Sequence, residues 1–324
     1  MIPIKEKKLK NMTFIDLFAG IGGFRLAFES FGAKCVFSSE IDKKAIETYY
    51  NNFGEVPSGD ITKIDETEVP DHDILCGGFP CQAFSISGKR MGFEDARGTL
   101  FFDVARIIKF KRPKIVLLEN VKNLKTHDKG RTISVIENTL KDLGYSVFSQ
   151  VLSASDFNIP QKRERIYIVA FRSDLQIHTF NFPVPLEQNK VIKDILLNEK
   201  EIVTSMYYQK TWKKIESKNK DTPRKPKKIG FVGNGGQGER IYSTENVGVT
   251  LSANGGGVFS KTGGYLINEK VRKLHPRECA RMMGFPDSFF INNSASQAYK
   301  QFGNSVVVDV LQHIITEIVK KLKI

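Results

Sequence analysis

Residues 13–173 alternate between short apolar runs and segments with helical periodicity. Four runs, TFIDLFAG, CVFSSE, DILCGG and KIVLLEN, are predicted to form buried strands, because each is short and apolar and precedes a loop or a helical stretch. Strands that alternate with helices are joined by right-handed crossovers, so we expect a mostly parallel sheet covered on both faces. YSVFSQVLS and RIYIVAFR have no helix between them, which predicts an antiparallel edge. The pattern indicates an α/β fold.

The alternation stops after about residue 185, where the composition changes. Residues 213–228 hold eight basic residues and two prolines, and the glycine-rich stretches GNGGQGER and SANGGGVFSKTGG follow. The basic run is typical of a solvated loop with non-specific attraction for nucleic acid. We therefore expect a second, smaller domain with little core and much exposed backbone.

A helical period returns near the C-terminus. It forms an apolar stripe of Val307, Val310, Leu311, Ile314, Ile318 and Leu322. A helix with one apolar face needs a core to pack on, and the first domain offers one. We predict a discontinuous large domain over residues 1–185 and 303–324, with the smaller domain, residues 186–302, inserted in it.

The chain carries 49 Lys and Arg residues against 36 Asp and Glu residues, a net charge of +13. Such a field attracts polyanions, so nucleic acid is the expected partner and an anionic membrane surface the alternative. No apolar run approaches the roughly 20 residues of a membrane span, and no apolar core follows the basic N-terminus as in a signal peptide. Four cysteines without CxxC spacing and five scattered histidines argue against a metal site and against disulfides, and favour the cytoplasm.

The glycine turn FAGIGGF lies between the first strand and the first helix, where open parallel sheets bind ligands. A dinucleotide fingerprint would need glycine at the position of Arg25, which disfavours a nicotinamide cofactor. Glu40 ends the second strand, where its carboxylate can accept hydrogen bonds from both ribose hydroxyls. Asp60, expected after a third strand, is placed for an adenine amino group. A nucleoside site without a diphosphate cradle fits S-adenosylmethionine, although the glycines could also merely let the helix pack on the strand.

Two cysteines lie five residues apart in CGGFPCQ. Cys76 lies inside a predicted strand and is interpreted as packing. Cys81 follows Pro80 at the ligand-binding end of the sheet, so it is a candidate nucleophile, with inert packing as the alternative.

Three further charged residues are predicted to face the same end of the sheet. Glu119 ends an apolar strand, so its pKa should be raised, which suits a proton donor; a surface cap is the alternative. Arg163 and Arg165 begin a later strand and could hold a carbonyl oxygen or a phosphate, although a surface ion pair is the default for such residues.

Seven segments occur in the order FIDLFAGIGGF, GDI, GGFPCQAFS, ENV, QKRERIY, LHPRECARMMGFP and QFGNSV, between residues 14 and 306. This series resembles the motifs of the cytosine-5 DNA methyltransferases. The segments GGQGERIYST and TLSANGGGVFSKTGGYL further resemble the variable region of the GCGC-specific bacterial modification methyltransferases of the Hha type. The resemblance implies a mostly parallel, Rossmann-like, S-adenosylmethionine-dependent methyltransferase sheet, with residues 186–302 as an inserted target-recognition domain.

The resemblance also implies roles for the candidate catalytic residues. Cys81 would attack carbon-6 of the target cytosine, because carbon-5 is otherwise a poor nucleophile. Glu119 would hydrogen-bond or protonate ring nitrogen-3, and Arg165 would hold the carbonyl oxygen with help from Arg163. The implied cofactor-binding residues are Phe18, Ala19, Gly20, Gly22, Gly23, Glu40, Ile41, Asp60, Ile61, Pro80, Asn304, Ser305 and Val306. Related enzymes often have an aromatic residue in place of Ile41, so a lower cofactor affinity is expected.

A base inside a duplex must be rotated out to reach such a site. Gln237 would then fill the space and pair with the orphan guanine, Ser87 would enter from the other groove, and Arg240 would read base edges or phosphates. The implied DNA-binding residues are Ser85, Ser87, Lys89, Arg97, Gln237, Arg240, Thr250, Ser252, Asn254, Gly256 and Gly257. A flexible linker is the alternative for the glycine-rich stretches.

The expected function is methylation of a cytosine in a short DNA palindrome, GCGC, in a restriction-modification setting. The enzyme is expected to be a cytoplasmic, bacterial, metal-free monomer that acts apart from any companion endonuclease. A tRNA methyltransferase of the same fold is one alternative. A sequence-specific DNA-binding protein without turnover is another, and a nicotinamide oxidoreductase is a third.

Overall fold

The computed structural model describes residues 1–80, 100–187, 190–216, 222–292 and 294–322. The chain forms two compact units, which we call the sheet unit and the loop unit. The sheet unit comprises Ile2–Leu152, Glu164–Pro183 and Leu311–Ile324, and the loop unit comprises Met1, Ser153–Arg163 and Val184–Val310. The break near residue 184 lies where the composition changes. Residues 153–163 and 303–310 belong to the loop unit, so the predicted domain bounds, which group residues by function, stay a prediction.

The regular elements follow the alternation in the sequence. The helices are α1 (Gly23–Ser30), α2 (Lys43–Phe53), α3 (Leu100–Lys111), α4 (Arg131–Asp142), α5 (Pro276–Met282), α6 (Ala295–Asn304) and α7 (Val308–Leu322). The strands are β1 (Thr13–Leu17), β2 (Lys34–Ser39), β3 (Ile74–Gly77), β4 (Ile115–Val121), β5 (Tyr145–Ser153), β6 (Glu164–Arg172), β7 (Lys213–Lys214), β8 (Lys228–Phe231), β9 (Arg240–Tyr242), β10 (Gly264–Ile267) and β11 (Lys270–Arg272).

The sheet unit is built on a six-stranded sheet in the order β2-β1-β3-β4-β6-β5. β1 pairs in parallel with β2 and with β3, and β3 pairs in parallel with β4. β6 pairs antiparallel with β4. The predicted α/β fold with a mostly parallel sheet and an antiparallel edge is therefore confirmed. The chain order reverses at β1, so the carboxyl ends of β1, β2 and β3 form a topological switch point, where such sheets bind ligands.

Apolar side chains on both faces of this sheet are buried. On one face of β1, Phe14 packs on Phe28 of α1, with ring centroids 5.2 Å apart. Ile15 points to the other face, because successive strand residues alternate, and it belongs to a core that includes α3 and α4. That core contains Ile15, Leu17, Leu75, Val104, Ile107, Ile108, Val116, Leu118, Ile136, Leu140, Ile166 and Ile168. The continuous apolar runs are thus explained by helices on both faces.

The start of α2 follows its sequence signals. Asp42 is the N-cap, and its carboxylate accepts hydrogen bonds from the backbone N–H groups of Lys44 and Ala45. The helical spacing of apolar residues over positions 45–53 predicts one buried face that includes both Tyr49 and Tyr50. This prediction is wrong for Tyr50, which is 52% exposed, whereas Tyr49 is fully buried. Tyr50 lies one residue beyond the narrow face that this helix buries.

The loop unit has shorter strands and a smaller apolar cluster. Its five-stranded sheet has the order β11-β10-β9-β8-β7, and Val232, Ile241, Phe259 and Val271 form a buried cluster beside it. Pro276 begins α5, and Gly284, with φ +79°, follows its end, which is the usual placement of proline and glycine at the two ends of a helix.

Residues Ala295–Leu322 are long and apolar enough, by composition, to span a membrane. However, 67% of the most apolar window in this stretch is buried inside the protein. Burial of that kind is typical of a core helix.

Candidate active site

The glycine turn after β1 is tied to the end of β2. The backbone N–H of Ala19 donates to the carbonyl of Ser39 at 2.9 Å. Phe18 has φ +60°, a left-handed conformation that is uncommon for a side chain with a Cβ and that clusters at functional sites. Gly22 has φ +86°, and a Cβ there would lie 2.3 Å from the ring of Phe53. Glycine is required at position 22 because the backbone is left-handed there and because a side chain would clash with Phe53.

The carboxylate of Glu40 faces this turn. Its Oε2 accepts a hydrogen bond from the backbone N–H of Gly20 at 2.8 Å, and its Oε1 accepts from Ile41 and Asp42, each at 2.8 Å. These bonds fix the carboxylate at the carboxyl end of β2. Because two carboxylate oxygens offer about four acceptor positions, Glu40 keeps capacity for a hydroxyl of a ligand.

Asp60 lies in a different setting from the one predicted. No strand occurs between residues 54 and 73, all of which the structure describes; Asp60 instead caps a short 3-10 helix, Ile61–Lys63. Hydrogen bonds from the hydroxyl and the N–H of Thr62 lower the pKa of Asp60. The nearby Ser58 N–H donates to Ser38 of β2 at 2.8 Å, so the segment still reaches the end of that strand.

The residues around the turn fit a nucleoside. A Cβ built at Gly20 or at Gly59 would meet no atom within 4 Å, so there is open space beside the turn. The carboxylates of Glu40 and Asp60 supply acceptors, and Ile41 is 69% exposed and offers an apolar surface. Ile61, in contrast, is 2% exposed and packs in the core.

The remaining cofactor candidates fall in two places. Ala19 lies in the glycine turn and Gly23 begins α1, both in the sheet unit. Pro80 follows β3 in the same unit and is exposed. Asn304, Ser305 and Val306 lie at the end of α6 in the loop unit. Asn304 is exposed, whereas Val306 is 7% exposed.

The segment that leads to the candidate nucleophile is held at Phe79, through both its ring and its carbonyl. Phe79 packs on Phe101, with ring centroids 5.7 Å apart, and its carbonyl accepts a hydrogen bond from Asn120 Nδ2 at 2.8 Å. Cys76 is fully buried, its thiol donates to the carbonyl of Ile15 at 3.2 Å, and burial raises its pKa. The interpretation of Cys76 as packing is confirmed.

Cys81 itself lies outside the described residues, as do the DNA-binding candidates Ser85, Ser87, Lys89 and Arg97. Among the residues that the structure does describe, no group of three His, Cys, Asp or Glu side chains could hold a metal ion. The expected absence of a metal stays a prediction.

Glu119 and Arg165 form an ion pair on neighbouring strands. Glu119 of β4 is opposite Tyr167 of β6, and Val121 is opposite Arg165, so Glu119 and Arg165 are diagonal neighbours on one face. Arg165 Nε lies 3.1 Å from Glu119 Oε1, and Glu119 is 8% exposed. A carboxyl and a guanidinium are therefore side by side where β4 ends, at the end of the sheet that both residues were predicted to face.

Arg163 has other contacts. It is 3% exposed, and its guanidinium donates to the carbonyls of Leu251, Gly303 and Ser305 at 3.3, 3.1 and 2.6 Å. These carbonyls belong to the loop unit, as does Arg163. The start of a strand at the rim of the site was the position predicted for Arg163 from the sequence. This placement is wrong, because the side chain is buried among backbone carbonyls.

The described DNA-binding candidates lie in two glycine-rich turns of the loop unit, which we call the first turn (residues 233–240) and the second turn (residues 250–257). The carbonyl of Gly238 accepts a hydrogen bond from Phe259 at 2.7 Å, and a Cβ at Gly238 would lie 2.0 Å from the carbonyl oxygen of Gly256. The turns thus pack backbone against backbone. The exposed candidates on them are Gln237, Arg240, Thr250, Asn254, Gly256 and Gly257, with Ser252 half-buried.

Comparison with known proteins agrees with this geometry. The family described as C-5 cytosine-specific DNA methylase matches residues 12–320. The chain belongs to this family. It is therefore a DNA cytosine-5 methyltransferase, and the fold and the family support S-adenosylmethionine as its methyl donor. The resemblance inferred from the seven motifs is confirmed.

Relatives match along most of the enzyme. It is 60% identical to the Type II methyltransferase M.HhaI of Haemophilus parahaemolyticus, over 97% of this chain and 96% of that protein. It is 46% identical to the Type II methyltransferase M.HpaII of Haemophilus parainfluenzae, over 97% of this chain and 90% of that protein. The crystal structure of the S. pombe Dnmt2 methyltransferase superposes with a TM-score of 0.73 at 22% identity, covering 97% and 100% of the two chains, which shows a shared fold.

Two residues of the enzyme's site had no role assigned from the sequence. Asn120 holds the carbonyl of Phe79, and its signal was its position directly after Glu119 at a strand end. Gln161 is fully buried and accepts a hydrogen bond from the Leu251 N–H at 3.0 Å. Local sequence gives no sign of this contact, because it joins residues 90 positions apart.

Proposed function

We propose that the enzyme methylates a cytosine rotated out of a short palindromic duplex, GCGC, through a covalent intermediate on Cys81. The Glu119–Arg165 pair carries this proposal. Ring nitrogen-3 and the carbonyl oxygen of cytosine are neighbouring acceptors, and a carboxyl beside a guanidinium matches them with one donor each.

Cys81, Glu119 and Arg165 share the chemistry of the covalent step. The Cys81 thiolate forms a bond to carbon-6, while Glu119 gives a proton to nitrogen-3 and Arg165 holds the carbonyl oxygen. This makes carbon-5 nucleophilic. Once carbon-5 carries its new methyl group, its proton is lost to solvent, and the electron pair left behind forms the double bond to carbon-6 and expels the Cys81 thiolate. Nitrogen-3 then returns its proton to Glu119.

S-adenosylmethionine, when bound, supplies the methyl group for carbon-5. Glu40 would accept a hydrogen bond from a ribose hydroxyl and Asp60 one from the adenine amino group, and Phe18 and the glycine turn would lie beside the cofactor. The fixed Glu40 carboxylate and the open space at Gly20 support this assignment.

Target choice is assigned to the two glycine-rich turns. Gln237 would fill the space left by the rotated base, with Ser87 entering from the other groove, and Arg240 and the second turn would read base edges and phosphates. Support comes from the packing of the two turns on each other and from the variable-region resemblance. We assign the enzyme to a restriction-modification setting in the bacterial cytoplasm, as a metal-free monomer separate from any endonuclease.

A duplex with 5-fluorocytosine at the target position tests the covalent step. Because fluorine cannot leave as the carbon-5 proton does, the enzyme with S-adenosylmethionine should form a complex that survives denaturation. Cys81→Ser should form none yet still bind the duplex, whereas Cys76→Ser, the matched buried thiol, should trap as the wild type does. Absence of a trapped wild-type complex would contradict the mechanism.

Bisulfite sequencing of a plasmid that expresses the gene tests the target. Protected cytosines should lie at one position of GCGC sites. Protection in another sequence context would overturn GCGC, and label transferred from S-adenosylmethionine to tRNA rather than to duplex DNA would overturn the DNA substrate.

A further inference from the structure

Both backbone polar groups of Leu251 are hydrogen-bonded to buried side chains. It lies in the second turn, between the DNA-binding candidates Thr250 and Ser252. Its N–H donates to Gln161 Oε1 at 3.0 Å, and its carbonyl accepts from Arg163 Nη1 at 3.3 Å. The side chains of Gln161 and Arg163 are 0% and 3% exposed, so water competes little for these hydrogen bonds.

The same two side chains also reach other segments of the loop unit. Arg163 Nη2 donates to the carbonyls of Gly303 and Ser305 at 3.1 and 2.6 Å, which flank the cofactor candidate Asn304. Gln161 Nε2 donates to the carbonyl of Met282 at 3.1 Å. One guanidinium therefore spans the second turn and the turn over residues 303–306.

The backbones of these two turns are in direct contact. A Cβ at Gly303 would lie 2.4 Å from the backbone nitrogen of Ala253, so a displacement of one turn must be followed by the other. Close packing transmits such shifts because the interior has little free volume.

This spanning contact needs an arginine. A guanidinium presents five N–H donors in a rigid planar fork, whereas lysine presents a single ammonium group. Lysine at position 163 could bond on one side, at Leu251 or at Ser305, but it would not hold both turns.

We infer that Arg163, together with Gln161, is a positioning residue that joins the second turn to the turn over residues 303–306. It thereby couples duplex binding to cofactor binding. The inference rests on the proposed function, and it replaces the predicted assistance of Arg163 to Arg165. By linkage, the duplex raises cofactor affinity by the same factor by which the cofactor raises duplex affinity.

Titration calorimetry with S-adenosylhomocysteine, which permits no turnover, measures this factor on the full-length enzyme. The dissociation constant is determined alone and with a saturating GCGC duplex. We expect the duplex to tighten binding by about fivefold or more in the wild type. In Arg163→Lys the factor should fall towards one.

Two control variants separate positioning from general damage. Arg281 is another arginine of the loop unit, and its Nη1 donates to the carbonyls of Ile195 and Leu196. The Arg281→Lys variant should keep the wild-type coupling factor even if the unfolding midpoint of the variant drops. Arg165→Lys should lower turnover and also keep the factor. If circular dichroism shows Arg163→Lys unfolded, Gln161→Leu, which removes the oxygen that accepts from the Leu251 N–H, should lower the factor in its place.

An unchanged coupling factor in folded Arg163→Lys or Gln161→Leu would overturn the inference, as would a wild-type factor of one. These outcomes leave the proposed function intact. A wild-type chain that binds neither the duplex nor S-adenosylhomocysteine would instead overturn the proposed function.

Discussion

The sheet unit is built around long apolar strands, whereas the loop unit has short strands and turns and a fully buried ion pair. In the sheet unit, β4 is apolar over IVLL and its side chains there are fully buried. In the loop unit, Arg272 and Glu278 are 1% and 0% exposed and make two hydrogen bonds to each other at 2.7 Å. Glu278 also accepts from the backbone of Leu197 and His275.

The two units should therefore respond differently to the loss of one polar side chain. Apolar burial is non-directional and spread over many residues, and the Glu119–Arg165 pair of the sheet unit is more exposed than the Arg272–Glu278 pair. Loss of the Glu119 charge should therefore affect chemistry more than stability. A buried polar network fails when one member is removed, because the partner left behind is buried and unsatisfied. Loss of one polar group in the loop unit should therefore affect stability first.

Glu119→Gln, in the sheet unit, should have the largest effect, and that effect should be on methyl transfer. Glutamine keeps the shape but cannot transfer a proton, so methyl transfer should fall by about 10²- to 10⁴-fold, with little change in unfolding. Incorporation of labelled methyl groups into duplex DNA measures this. Glu164→Gln is the matched control, since Glu164 also lies on the β4–β6 pair but binds the exposed Lys122. Equal losses in both variants would contradict the assignment of Glu119.

Glu278→Gln tests the loop unit in the same chemical terms. Removing the charge leaves Arg272 buried without its carboxylate, so unfolding free energy should fall by about 3–5 kcal/mol. Urea unfolding followed by circular dichroism measures this. Glu245→Gln, in an exposed pair with Lys193, should leave the midpoint unchanged. A Glu278→Gln variant as stable as the wild type would contradict the expectation that loss of one buried polar group destabilises the loop unit.

Gly238→Ala tests the contact between the first turn and the second turn. Its Cβ would overlap the carbonyl of Gly256, and such overpacking costs about 1–3 kcal/mol. If that cost falls on the bound conformation, duplex affinity should drop by roughly 5- to 150-fold. Gly236→Ala is the control, because its Cβ would make an ordinary contact of 3.5 Å. Equal duplex affinity in the two variants, measured by fluorescence anisotropy, would contradict this interpretation.

Asp42→Ala gives the smallest effect and probes the sheet unit. Losing the hydrogen bonds to Lys44 and Ala45 should lower unfolding free energy by about 1 kcal/mol. Asp42→Asn keeps a capping oxygen and should stay close to the wild type. A loss as large as that of Glu278→Gln would remove the distinction between the units.

The sequence allowed the sheet unit to be predicted because its signals are local. Alternating apolar runs and helical periods set β1 to β4 and their helices, and the strand ends placed Glu40 and Glu119 at one edge. Asp60 was misplaced because GDI looked like a strand end, whereas no strand precedes it. Tyr50 was misplaced because a helical period gives the direction of a face but not its width.

The sequence by itself determined the family, the fold class and the motif residues, since seven ordered motifs and a repeated apolar period are properties of the chain alone. The tertiary structure decided the role of Arg163. Two arginines separated by one residue look equivalent in QKRERIY, yet Arg165 meets Glu119 and Arg163 meets carbonyls 88 and 140 positions away. Contacts at such separations arise from how distant segments pack, and no local pattern encodes them.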